Sequence, residues 1–163
     1  MTPAKPSAVR DVAPLAVADT WLSAADALYR AADEASRQHE RVARLIDKHC
    51  ADDELQDAAN VCDLCYRQLA ARAAGYETTA SSGKGGARSD EPVWHAANTL
   101  WHSSREYARR HHSCDAVHAK IGRHSSEKLG QMTMEYELEA SALLALRHAL
   151  AGFRKARPEA DYR

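Results

Sequence analysis

The chain has 163 residues, enough for one domain with a real buried core. Its 22 basic and 23 acidic side chains nearly cancel, so the charge balance points to neither nucleic acid nor an anionic membrane as partner. Only seven glycines and five prolines occur, alanine is abundant and β-branched runs are scarce, which together favour an all-α protein over any sheet architecture.

Residues 1–14 carry Pro3, Pro6 and Pro14 and are expected to be a flexible lead-in. A first helix is predicted over roughly 15–50, because Leu15, Ala18, Leu22, Ala25, Tyr29, Ala32, Ser36, His39, Ala43, Ile46 and Cys50 recur at alternating steps of three and four. The opposite face is charged, from Asp26 and Arg30 through Arg37 and Glu40 to Arg44 and Asp47. Asp52 and Asp53 suit an N-cap after a short turn. A second helix over about 53–74 follows, with Leu55, Cys62, Cys65 or Tyr66, Leu69 and Ala73 inward. So short a connection forces an antiparallel neighbour.

Gly75 to Ser89 is expected to be a surface loop. Its Gly83-Lys84-Gly85-Gly86 lacks the glycine offset, the Ser or Thr after lysine and the preceding strand of a phosphate loop, so no nucleotide site is assigned there. Asp90-Glu91-Pro92 opens a third helix running to Ile121, with the seam Val93, Ala97, Leu100, Ser104, Tyr107, His111, Cys114, His118 and Ile121. Gly122 ends it. Ser125 or Ser126 with Glu127 opens a fourth helix to about Lys155, whose seam is Leu129, Met132, Tyr136, Glu139, Leu143, Leu146, Leu150 and Phe153. Residues 158–163 form a polar tail, which leaves 15–157 as a single four-helix bundle domain made of two helical hairpins.

The second half of the third helix carries metal-ligating side chains where a core helix would carry aliphatic ones. If the two hairpins close with their short turns at the same end, residues equally far from a turn share a height. His39 then falls beside Cys62 and Cys65, and His111 falls near Tyr136, Glu135 and Glu139. The pool of candidate ligands is His39, Cys62, Cys65, His111, Cys114, His118 and Glu139. His111 and His118 are seven positions apart, about 10 Å along a helix, so they cannot hold one ion together. Mixed Cys/His/Glu donors suit zinc first, then copper or iron.

Known bundle metal motifs are missing. Glu-x-x-His on two helices does not occur, the nearest match being Asp115 with His118. Cys62-Asp-Leu-Cys65 is followed by Tyr66, not by the histidine of a haem attachment motif. No nucleophile–base pair can be assembled from spacing, so no reaction is assigned.

The functional expectation is therefore a metal- or cofactor-binding bundle. The competing expectation is a non-catalytic interaction module, a homodimer or partner-binding scaffold meeting its partner through Trp94 and Trp101 on the flank of helix three. Four cysteines do not make a disulfide scaffold, no apolar run reaches the ~20 residues of a membrane span, and the N-terminus has no apolar signal region. A cytoplasmic setting is expected.

Overall fold

A computed structural model of the chain describes residues 21–82, 91–120 and 126–158, without the side chains of 115–120 and 126–129. Four helices account for nearly all of it: α1 (Trp21–Asp47), α2 (Asp52–Ser81), α3 (Pro92–Lys120) and α4 (Ser126–Ala156). No strand occurs among the described residues. The lead-in with Leu15 and Ala18, the Gly-Lys-Gly-Gly stretch, Gly122, the His118 side chain and most of the polar tail lie outside the described residues.

The helices pair as the seams dictate. α1 packs most extensively on α2, and α3 on α4; α2 also meets α3, α1 meets α4, and α1 touches α3 across the diagonal. The result is the expected antiparallel four-helix bundle of two hairpins. Leu28, Leu69, Leu100 and Leu146, one from each helix, are fully buried in a common core. Each contributes about 1.5–3 kcal/mol through the apolar surface it removes from water.

The turn between α1 and α2 is tight for a specific reason. His49 takes a left-handed conformation (φ 50°), its N–H reaches the Ile46 carbonyl (3.1 Å), and the Cys50 N–H reaches the Leu45 carbonyl (3.3 Å). This is the Schellman arrangement, which satisfies the last carbonyls of α1. α2 then begins one residue earlier than expected. Ala51 stands at its N-cap without a side-chain bond, while Asp52, Asp53 and Glu54 fill the first turn, where the helix dipole favours acids.

The largest departure from expectation is the end of α2. The helix does not stop at Gly75 but continues to Ser81. Gly75 lies on the exposed face, with nothing within 4 Å of where a Cβ would be. Its neighbour Tyr76 is buried and donates its hydroxyl to Asn98 Oδ1 (3.0 Å) on α3. Burial pushes that phenol up to about 12, so it remains a donor at neutral pH. One anchored aromatic outweighs the ~1 kcal/mol helix penalty of a glycine.

That end of the bundle is closed by aromatic rings. Trp21 meets Trp94 edge-on (5.1 Å), and Tyr29 stacks on Phe153 (5.6 Å). Trp101 donates its indole N–H to the Ala73 carbonyl (3.1 Å), and Arg105 lies over its ring (4.9 Å). Trp94 and Trp101 are thus partly buried and packed against the core. Arg157, just past α4, grips both oxygens of Asp26 on α1 (2.7 and 2.8 Å).

The other end behaves differently. Ala43 and Ile46 occupy seam positions of α1, yet both are exposed, Ile46 by 55%. The hairpins part there and leave a cavity.

Candidate metal centre

Three helices deliver donors to the inner end of that cavity. His39 arrives from α1, His111 from α3 and Glu139 from α4. His39 Nδ1 is 3.4 Å from one Glu139 oxygen, and His111 Nδ1 is 3.4 Å from the other. One ligand atom from each residue can be chosen so that all three lie within 4.8 Å of one another. The two imidazole rings are 6.5 Å apart, centre to centre. Around a tetrahedral ion with bonds near 2.0–2.1 Å, neighbouring donors stand about 3.3 Å apart. Each nitrogen is near that edge length from a different Glu139 oxygen, and with one ligand atom per residue the set spans no more than 4.8 Å.

The electrostatics suit a cation. Glu139 is only 7% exposed, and a buried carboxylate is expensive unless its charge is met. Burial by itself raises its pKa. The hydrogen bond from His111, the charges of His111 and His39 and a hydrogen bond with Cys114 together outweigh burial, and the net shift is downward. Glu139 is therefore ionised at neutral pH. His39 moves the other way in charge: burial lowers its pKa against the opposing pull of Glu139, and His111 and Arg147 add to the lowering. A neutral imidazole with a free lone pair is what a metal ion takes.

Tyrosines hold the rings. Tyr107, fully buried one turn before His111, puts its hydroxyl 2.9 Å from His39 Nδ1, the same nitrogen that faces Glu139. Its own ring lies 6.0 Å from that of His111, while Tyr66 of α2 packs against His111 at 4.6 Å. Tyr107 was readable as a seam residue but not as part of the site. The available signal was its position one helical turn from His111, on the same stripe.

The remaining candidates fall into distinct places. Cys62 and Cys114 are buried and line the same cavity as the three converging donors. Cys65 is turned into the hydrophobic core, where burial first and Glu34 second push its thiol up, away from the thiolate a metal requires. The His118 side chain lies outside the described residues. His95, His102, His112 and His148 are exposed, as their positions off the seams imply.

The cavity has a volume of about 800 Å³. It runs from half-buried His111 and buried Cys114 and Glu139 to exposed residues such as Ile46 and Gln56. No helix among the described residues is long and apolar enough to cross a membrane. No family model, curated protein or solved structure matches the chain.

Proposed function

We propose that this chain is a metal-binding four-helix bundle in which His39, His111 and Glu139 ligate one ion, zinc in preference to copper or iron. The observation that carries the reading is the convergence of two imidazoles and an ionised carboxylate, from three separate helices, on one point at ligand spacing. Two nitrogens and one oxygen are borderline donors that suit zinc. Three protein ligands leave one coordination position free, as in catalytic zinc sites and unlike closed structural ones. Cys114, bonded to Glu139, stands next to the set without belonging to it.

The ion would take the Nδ1 lone pair of His39, so it competes with the Tyr107 hydroxyl for that nitrogen. It would supply Lewis acidity at the inner end of the cavity. The chain's own residues hold two imidazoles and one negative charge ready for it.

Elemental analysis of protein purified without a histidine tag tests this. About one equivalent of metal is expected, lost on H111A and on E139Q, with a melting temperature that falls when a chelator is added. Metal-free protein whose melting ignores both zinc and chelator refutes it.

A further inference from the structure

We propose that the free coordination position binds a small monocarboxylate whose aliphatic body lies along the cavity wall. This rests on the metal reading above and adds the class of ligand.

Three observations converge. The first is direction. Tyr107 backs the centre from the core side and is not part of the cavity lining, whereas His39, His111 and Glu139 all face the cavity. The unfilled position of a three-ligand ion therefore points into about 800 Å³ of space that reaches the surface, a volume in the range of small-molecule sites.

The second is the wall. Val42, Ala43, Ile46 and Leu55 line the cavity, together with Ala59 and Tyr136. Ala43 and Ile46 hold seam positions that the aromatic end of the bundle covers with other side chains. Here they face open space, and an aliphatic chain would cover them.

The third is charge. A divalent ion with two neutral imidazoles and one carboxylate carries a single net positive charge, which one carboxylate neutralises. The lining adds the carboxylates of Asp52 and Asp63, the latter paired with Arg67 at 2.9 Å, and they repel a second negative charge. Phosphates and dicarboxylates are disfavoured by the same rim that tolerates a neutral tail.

Cobalt(II) is the probe, because its visible absorption reports on the coordination position itself. The full chain loaded with cobalt is titrated with acetate, butyrate, hexanoate, adipate, 1-hexanol and hexylammonium. Hexanoate is expected to perturb the spectrum at lower concentration than acetate, by roughly fourfold per added methylene. Adipate is expected to bind at least tenfold more weakly than hexanoate, and hexanol and hexylammonium should leave the spectrum unchanged. L55D should remove the chain-length dependence. A43D, on an exposed position of α1 that does not threaten folding, should do the same. Equal binding of acetate and hexanoate, or a cobalt spectrum that no carboxylate perturbs, overturns this inference and leaves the metal centre standing. Absence of any cobalt spectrum overturns both.

Discussion

Changing Tyr107 to phenylalanine separates the hydroxyl from everything else the residue does. The ring is fully buried and stays in place, so packing is conserved and one oxygen is lost. That oxygen lies 2.9 Å from His39 Nδ1. A buried hydrogen bond of this kind contributes about 1 kcal/mol net. In a chain of this length that lowers the melting temperature by about 2–4 °C. The effect on zinc runs the other way. Zinc on Nδ1 has to displace the hydroxyl and leaves it without that partner, so the variant escapes a loss that the natural chain incurs. About 1 kcal/mol corresponds to a zinc affinity raised about fivefold or more. Thermal melts in chelator and in excess zinc, with a competition titration against a chromophoric chelator, measure both. The melting gap between Y107F and the natural chain should narrow once zinc is present. If Y107F instead binds zinc tenfold more weakly, the hydroxyl supports the ion directly and the displacement argument is wrong.

Acid should destabilise the metal-free protein. His39 has a folded pKa below its ordinary 6.5, so the unfolded chain takes its proton first and stability is lost as pH falls from 6.5 towards the folded value. Glu139, also lowered from 4.5, extends the loss below that pH, and H39Q should flatten the upper part of the melting-versus-pH curve. H49G should raise stability by about 0.5–1 kcal/mol, because glycine adopts the left-handed turn without the Cβ clash; unchanged or lower urea stability contradicts the Schellman assignment. R157A should lower stability by about 2 kcal/mol, through the loss of a two-pronged, mostly buried bond to Asp26 that ties the end of α4 to the start of α1. A melting temperature within 1 °C of the natural chain would show that this clasp is solvated.

The helices and their pairing were legible because heptad spacing reports burial directly. His39, His111 and Glu139 could be brought to one height because a helix rises by a fixed amount per residue, and two short turns set a common origin. Spacing did not say which buried thiols face the imidazoles. Cys62 and Cys65 are three positions apart, yet one lines the cavity and the other enters the aliphatic core. Nor could it show that the hairpins part around Ala43 and Ile46, since a seam residue has the same pattern whether or not its partner arrives. Gly75 misled because intrinsic propensity is local, while the buried ring of Tyr76 and its bond to Asn98 are not. Tyr107 was overlooked because an aromatic ring on a seam is ordinarily filler, and only the distance from its oxygen to His39 distinguishes it.

The donors are divided between the hairpins: His39 belongs to the first, His111 and Glu139 to the second. The close contacts run within each hairpin, α1 with α2 and α3 with α4, so the boundary between the two halves is the thinner one. An ion seated there would act as a rivet across that boundary. Two half-bundles able to breathe against each other would then open only as a unit, and amide exchange would slow together on all four rods rather than near the ligands alone.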